Sequence, residues 1–275
     1  MTNQTQVQKK YEFTGETKEF NGVVLQRIRR ISDQLIGGWI EKEENLSQEG
    51  TCFVYGNARV FGDASVFGNA RVYGNARVYG NAQVSGNAWV HGDAQVYDNA
   101  LVFGNAQVFG DAQVFGDARV SGGRAQVYDN ALVFGDAVVY GDAVVSGNAW
   151  VHGDAQVYGN ARVYGYALVY GNARVSGNAL VSGDARVSGN ARVSGDACVN
   201  ARMIVRVSLS KTPVSIVTSD NYTCFLDPAT NKIQAGCRDF TREEAVKHWT
   251  ETRGGTELGE ERLRMINALF MLNGI

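Results

Sequence analysis

From residue 54 the chain reads Val54-Tyr55-Gly56-Asn57-Ala58-Arg59, and units of the same six-residue form then follow without a break. Twelve valines occur at a spacing of six from Val54 to Val120, and thirteen more from Val127 to Val199. The single seven-residue step between the two runs contains the extra glycine of Gly122-Gly123. A strict period of six indicates one supersecondary unit stacked many times, because neither a simple strand nor a helix has this period.

Each column of the unit has a physical role. Valine is β-branched and suits a buried, pleated surface, so we expect it to point inward. Glycine followed by asparagine or aspartate tolerates positive φ and turns the chain, and the small alanine fits a crowded corner. Three units would make one turn of a three-sided coil. The repeats therefore predict about eight coils, stacked as parallel strands over roughly 38 Å at ~4.8 Å per strand.

This pattern resembles the hexapeptide-repeat family from about Gln48 to Asn200, since valine, glycine, Asn/Asp and alanine occupy the family's columns. The resemblance implies a mainly β fold, a left-handed parallel β-helix. The left hand comes from the family alone, because crossovers are usually right-handed. The segments Gly37-Gly38-Trp39-Ile40 and Asn45-Leu46-Ser47-Gln48-Glu49-Gly50 are similar to those of prophage and bacterial hexapeptide-repeat proteins labelled polymer-forming. That group implies no settled activity.

Composition changes predict three domains: an N-terminal β cap at 1–47, the β-helix at 48–202 and a small α+β domain at 203–275. In the cap, residues 1–10 should be loose, and Tyr11 to Ile31 should form a hairpin with its turn at Asn21-Gly22. Trp39 is expected to plug the open end of the coil, because a solenoid end must hide its apolar core.

The C-terminal domain reads as short strands followed by two helices. Met203 to Ser208 and Val214 to Thr218 have strand composition, and a hairpin is expected around Asp227-Pro228. Thr241-Arg242-Glu243-Glu244 is a capping-box signature for a helix through Trp249. A second helix is expected from about Leu258 to Leu272.

Charge and cysteine content exclude several classes. The net charge of −2 gives no global attraction to nucleic acid or to an anionic membrane. The four cysteines show neither a disulfide framework nor metal-site spacing, which fits a reducing compartment. The N-terminus lacks the apolar core of a signal peptide, and no stretch is long enough to span a bilayer. These features predict a cytoplasmic protein.

The family resemblance also brings in enzymes, because hexapeptide-repeat proteins include acyltransferases with a catalytic histidine and zinc-dependent carbonic anhydrases. His91 and His152 occupy two copies of the cassette Ser-Gly-Asn-Ala-Trp-Val-His-Gly-Asp-Ala-Gln-Val, at 85–96 and 146–157. The copies are ten units apart, so the two histidines should face different sides, and His248 falls in the predicted tail helix. A zinc site needs clustered ligands. We therefore predict no catalytic residue, no metal and no cofactor.

The residue after each valine should point outward and stack with its equivalents eighteen residues away. Most of these residues are aromatic, and the most complete column contains Phe61, Tyr79, Tyr97, Phe115, Phe134, His152 and Tyr170. Such ladders stabilise stacked strands. They equally suit a contact surface, since so long an apolar strip exceeds what a monomer normally exposes. We take this column, with Trp89 and Trp150, as the candidate surface for an oligomer or partner.

Arginines occupy much of the other outward column, the position before each valine. Arginine interleaved with aromatic rings suits single-stranded nucleic acid. The balancing aspartates argue against that partner.

These observations predict a non-enzymatic, rigid, self-associating scaffold or binding protein of prophage type. The family resemblance implies a homotrimer. Two alternatives stay open: a phage-type inhibitor that sequesters a host protein or a small molecule of host defence, and a hexapeptide-repeat acyltransferase. The sequence names no partner.

The outward column changes character near the end of the repeats. Ser176, Ser182, Ser188 and Ser194 follow one another where earlier units have tyrosine or phenylalanine. Every side of the last coil therefore loses its rings. We expect the C-terminal segment to fold back over these coils, where bulky rings would clash.

Overall fold

The structure is a computed structural model that describes residues 9–199, 204–205, 208–209, 214–217, 223–227, 230–235 and 238–272. The predictions for residues 1–8, Met203 and Pro228 lie outside the described residues.

The repeats form a three-sided parallel β-solenoid whose chain visits face 1, face 2 and face 3 in turn, with nine strands on each face. Face 1 contains Phe53–Val54, Arg71–Val72, Trp89–Val90, Gln107–Val108, Gln126–Val127, Val144–Val145, Arg162–Val163, Leu180–Val181 and Cys198–Val199. Face 2 contains Arg59–Val60, Arg77–Val78, Gln95–Val96, Gln113–Val114, Leu132–Val133, Trp150–Val151, Leu168–Val169, Arg186–Val187 and Ile204–Val205. Face 3 contains Ser65–Val66, Gln83–Val84, Leu101–Val102, Arg119–Ser121, Val138–Tyr140, Gln156–Val157, Arg174–Val175, Arg192–Val193 and Ser208–Leu209.

The solenoid thus has one turn more than the eight expected. Ile204–Val205 pairs with Arg186–Val187, and Ser208–Leu209 pairs with Arg192–Val193. Strand pairing therefore continues to Leu209, beyond the predicted boundary at residue 202. The sequence repeat is not recognisable there, because Leu209 takes the place of a valine and does not keep the six-residue spacing.

The inward assignment of valine is confirmed. The valine and alanine columns from Val54 to Val199 are between 0% and 1% exposed. Strands of successive turns pair in parallel with valine against valine, as in Val90 with Val108. The extra residue is confirmed as a corner bulge: Gly122 has a φ of 105°, and the Arg124 amide donates to the Gly141 carbonyl at 2.9 Å. The same backbone ladder thus resumes one residue later.

The N-terminal hairpin is also confirmed. β1 (Tyr11–Phe20) and β2 (Val23–Arg30) pair antiparallel around Asn21 and Gly22, which both have positive φ. β3 (Ile36–Ile40) then joins the hairpin to face 2, and a 3-10 turn spans Glu43–Asn45. Tyr11 lies over the end of the coil, where its hydroxyl donates to the Leu46 carbonyl at 2.8 Å.

The expectation that Trp39 plugs the coil was wrong. Trp39 is in register with the outward residue Arg59, whereas Ile40 is in register with the inward Val60. Ile40, Leu46, Ile28 and Tyr11 close the core instead. Trp39 lies on the outer side of the coil but is covered there by other side chains. The Lys18 ammonium and the Arg27 guanidinium lie 4.8 Å and 5.0 Å from its ring centroid.

After the solenoid comes an antiparallel sheet of Val214–Val217, Thr223–Asp227, Lys232–Ala235 and Arg238–Phe240. It is followed by α1 (Arg242–Arg253) and α2 (Glu257–Leu272). The capping box is confirmed: Thr241 accepts from the Glu244 amide, and Glu244 accepts from the Thr241 amide. Among the described residues, Phe225 and Gln234 join this unit to the solenoid. Phe225 packs in the solenoid core, and Gln234 accepts from the Ile204 amide at 2.7 Å.

The serines of the last coils allow a test of whether the C-terminal segment folds back over these coils. Ser182 and Ser188 are buried although their column faces outward. Changing both to tyrosine should overpack the junction and cost roughly 1–3 kcal/mol. We expect a lower denaturation midpoint and faster protease cleavage within 203–275. Ser85→Tyr is the control, because Ser85 occupies the same position of the repeat but lies far from the tail. Equal stability and protease resistance of the double variant and the parent would show that nothing covers these serines.

Candidate functional site

The predicted column of rings on face 2 forms one continuous stack. From Phe61 to Tyr170, successive ring centroids lie 4.7 to 5.3 Å apart, and the rings are within 7° of parallel. The strand spacing of the solenoid sets the distance between the rings, because successive rings are carried by strands of successive turns. The stack stabilises the coils by cross-strand contact and presents the ring edges outward.

The N-terminal hairpin covers the first part of this stack. Phe20, at the end of β1, packs edge-on against Phe61 at 5.9 Å. The guanidinium groups of Arg59 and Arg77 lie 4.3 Å and 5.7 Å from the Phe20 ring. The hairpin thus occupies the arginine-bearing part of face 2, and the part left open starts near Gln95.

From Gln95 to Tyr170, face 2 carries no formal charge in its two outward columns. The position before each valine holds Gln95, Gln113, Leu132, Trp150 and Leu168, and the position after it holds Tyr97, Phe115, Phe134, His152 and Tyr170. Burial lowers the pKa of His152, so its imidazole is neutral near pH 7. We call these ten residues the uncharged zone.

The other two faces have shorter stretches of this kind. Outward arginines interrupt face 1 at Arg71 and Arg162, and face 3 at Arg119, Arg174 and Arg192. Between residues 53 and 199 the uncharged zone of face 2 is therefore the longest run of turns without an outward charge, five turns against four on face 1 and three on face 3. Depletion of charge together with enrichment of aromatic rings is typical of the core of a protein interface.

Trp150 lies in the middle of the uncharged zone. Its strand neighbours are Leu132 and Leu168, and its ring packs edge-on against Phe134 at 6.3 Å. Its side chain remains 44% exposed. An exposed tryptophan between leucines is a typical interface anchor.

Trp89 is not part of this surface, although the sequence analysis grouped it with Trp150. It occupies the same cassette but stands on face 1, where the Arg71 guanidinium lies 5.5 Å from its ring and Tyr73 packs edge-on at 6.3 Å. Its exposure of 36% is close to that of Trp150. The chain thus contains two similar tryptophans with different surroundings.

Two of the histidines lie on different faces, each within a stack of rings. His91 is stacked between Tyr73 and Phe109 on face 1, and His152 between Phe134 and Tyr170 on face 2. Burial lowers the pKa of both imidazoles. A general base needs a partner within hydrogen-bond reach and an orienting group. Neither imidazole has a hydrogen bond or ion pair to another residue that the structure describes.

The third histidine is also a packing residue. His248 stacks on Phe240 at 5.1 Å in the C-terminal unit. Within the described part of the chain no group of three metal-ligating side chains occurs, and none of the described helices is long and apolar enough to span a membrane.

Tyr79 and Tyr97 of the stack are held in the protonated form. Burial, with the nearby Tyr79 and Asp98, raises the pKa of Tyr97 to about 12. Burial likewise raises the pKa of Tyr79. In each case the hydroxyl donates to a glutamine of the next turn: Tyr79 to Gln95 at 3.3 Å and Tyr97 to Gln113 at 3.2 Å. These phenols therefore fix the stack rather than supply a nucleophile.

Sequence reasoning missed two kinds of polar ladder at the corners. Asp98 and Asp129 stand in the glycine column with φ of 57° and 58°, and each carboxylate accepts from a backbone amide eighteen residues on, at Gly116 and Gly147. Asparagines also bond in series, as in Asn69, Asn87 and Asn105 at 3.1 Å and 3.0 Å. Reading the corner column at intervals of eighteen would have found both.

This geometry defines a class: a parallel β-solenoid of hexapeptide repeats with an aromatic, uncharged face. The family described as YdcK Beta solenoid repeat matches residues 53–68, 70–86, 76–92, 94–110, 112–124, 125–141, 139–153, 155–171, 169–183, 173–187 and 185–200. These segments cover just over half of the chain, which therefore belongs to the YdcK beta-solenoid repeat family.

Two further comparisons add little. No curated protein sequence matches the chain. Among solved structures, the chain is similar to the UDP-N-acetylglucosamine acyltransferase of Francisella novicida, at 13% identity over 82% of this chain and 87% of that one, with a TM-score of 0.45.

Proposed function

We propose that this protein is a rigid, non-catalytic scaffold that associates with copies of itself through the uncharged zone of face 2. The observation that carries the proposal is the coincidence of three features on one surface: no formal charge, a stacked column of rings, and the exposed Trp150 between two leucines. Monomeric proteins rarely leave so large a contiguous apolar surface open to water.

The backbone supports the role of a rigid element. Each strand donates to and accepts from the strands of the turns above and below, and the corners add side-chain ladders. Because nearly every backbone group in the coils is paired, one turn cannot move without its neighbours. A surface carried on such a body keeps its shape when a partner binds.

Further parts of the proposal concern assembly size and location. The family resemblance favours three copies. The four cysteines show no disulfide framework in their spacing, which is compatible with the reducing conditions of the cytoplasm. Binding of a host protein or small molecule would use faces that self-association leaves open.

The test uses the two tryptophans of the duplicated cassette. Trp150→Glu places a charge in the middle of the uncharged zone and should prevent association, because the charge would have to be desolvated at the interface. Trp89→Glu makes the same chemical change on face 1. By light scattering after gel filtration, we expect the parent and Trp89→Glu at a multiple of 29.8 kDa, and Trp150→Glu at 29.8 kDa.

Circular dichroism and thermal melts should show that both variants keep the parent fold. A parent chain that stays at 29.8 kDa at tens of micromolar, roughly the range of weak interfaces, would reject the proposal. An assembly that both variants lose equally, or that Trp150→Glu leaves intact, would place the contact elsewhere.

A further inference from the structure

Face 1 has a trough one turn wide. In its aromatic column Ser146 replaces a ring between Tyr128 and Tyr164, and in the other outward column Val144 is short between Gln126 and Arg162. The result is a groove of about 470 Å³ lined by these six residues and by Asp129, Gly147 and Gly165. Ser146 is only 7% exposed, because the longer side chains of both neighbouring turns stand above it.

The trough has room for one ring. Phe109 and Tyr128, one turn apart in this column, stack at 4.8 Å. Tyr128 and Tyr164 are two turns apart, so their spacing is twice that distance, about 9.6 Å. A flat ring between them would restore the spacing of the native stack on both sides. The floor of the trough is apolar on the side of Val144, and on the other side it is formed by the small side chain of Ser146.

Other serines in the aromatic columns do not produce such a trough. On face 3, Ser85 lies beside Gln83, and Ser121 lies beside Arg119. In both turns a long side chain still fills the second column. On face 1, Ser182 lies beside Leu180, so between residues 53 and 182 the turn of Val144 and Ser146 alone has a short residue in both outward columns of that face.

We propose that Trp150 of one copy inserts into this trough on face 1 of the next copy, so that the chains close into a ring of parallel solenoids. This inference rests on the proposed self-association through face 2 and names its partner surface. Trp150 is a flat, bicyclic side chain, exposed and flanked by leucines that would meet the walls of the trough.

The heights of the two features agree. Val144–Val145 and Trp150–Val151 are successive strands of a single turn, so they differ in height by one third of the ~4.8 Å strand spacing, about 1.6 Å. Copies related by rotation alone must touch at equal height, whereas a step along the axis would produce an open filament. A closed ring therefore needs this agreement, and the chain has it.

The charges around the two surfaces agree in part. Where two parallel coils of the same hand touch, their facing strands run in opposite directions. Asp136, after a face 2 strand, then lies opposite Arg124, before the face 1 strand of the same turn. In the turn of the trough Asp154 lies opposite Asp142, and Arg162 lies one turn further on. All five side chains are exposed, and none forms an ion pair with another described residue. Asp136 and Arg124 are therefore the opposite charges that guide docking and register.

The first test fills the trough. Ser146→Tyr should complete the stack of face 1 in the folded chain and exclude the incoming indole. We expect a folded variant whose mass falls from that of the assembly to 29.8 kDa. Ser85→Tyr fills the corresponding gap on face 3 and should assemble like the parent. Normal assembly of folded Ser146→Tyr would overturn the inference.

The second test links the rim without touching Trp150. In a variant with Asp154→Cys and Arg162→Cys, a short bis-maleimide should join neighbouring copies and give a ladder on a denaturing gel. Its highest band would count the copies in the ring. With Cys198 and Cys237 replaced by serine throughout, each single-cysteine variant and the parent should give no ladder, since Cys52 and Cys224 are buried.

The outcomes separate the inference from the proposed function. Dimers formed by Asp154→Cys alone would indicate a twofold contact of face 2 with face 2, which overturns the ring but keeps self-association. If the parent assembles but the double variant does not cross-link, the ring is likewise overturned and self-association is kept. A parent chain that is monomeric under all conditions would reject both.

Discussion

Val108→Asp is expected to unfold the middle of the solenoid. Val108 is 0% exposed, and its strand neighbours toward both ends of the stack are also buried valines, Val90 and Val127. A carboxylate there would be buried without a partner, which costs roughly 3–5 kcal/mol when a charge is left uncompensated. Because each turn is held by its neighbours, the damage should spread along the stack. Circular dichroism during thermal melting would measure the loss.

The control for this variant is Gln107→Asp, the same change one residue earlier. Gln107 points outward and is only partly buried, so its carboxylate would stay in contact with water. We expect a melting temperature close to that of the parent. Equal melting temperatures for Val108→Asp and the parent would contradict the inward position of the valine column.

Gly74→Ala should destabilise the solenoid more than the same change at Gly56 in the preceding turn. Both glycines have positive φ, 73° and 60°, so both variants pay the left-handed backbone cost of about 1–2 kcal/mol. A Cβ on Gly74 would lie 2.9 Å from the Gly92 carbonyl oxygen and 3.0 Å from its nitrogen. On Gly56 the nearest atoms are 3.7 Å and 3.9 Å away.

The difference between the two variants therefore measures how closely adjacent turns approach. We expect Gly74→Ala to lose roughly 1–3 kcal/mol beyond the loss at Gly56, as overpacking does elsewhere. Urea denaturation of both variants beside the parent would show it. Equal midpoints for the two variants would contradict the close corner packing.

The sequence predicted the solenoid because its period is strict and each column has a single physical explanation. It failed where the position of a residue depends on pairing rather than on type. Trp39 was expected to plug the open end because a solenoid end must hide its apolar core, yet the pairing of β3 puts Ile40 in the valine column and turns Trp39 outward. The ninth turn was missed because its last strand, Ser208–Leu209, has lost the repeat residues.

The candidate site was predicted in part. The column from Phe61 to Tyr170 was identified correctly as a ladder, since residues eighteen apart must stack. That Trp89 and Trp150 lie on different faces follows from the same arithmetic, but the two were grouped by residue type. The uncharged zone needs both outward columns of one face read together, and the trough needs a short residue in each. Neither is visible in a single column.

Radical footprinting of the unaltered protein tests the central claim, self-association through face 2, most directly. Trp150 and Trp89 have similar exposure in the single chain, 44% and 36%, so they should oxidise at similar rates in dilute, dissociated protein. In the assembled protein we predict that oxidation of Trp150, measured by peptide mass spectrometry, falls well below that of Trp89. Equal oxidation of the two tryptophans in the assembled protein would contradict the account.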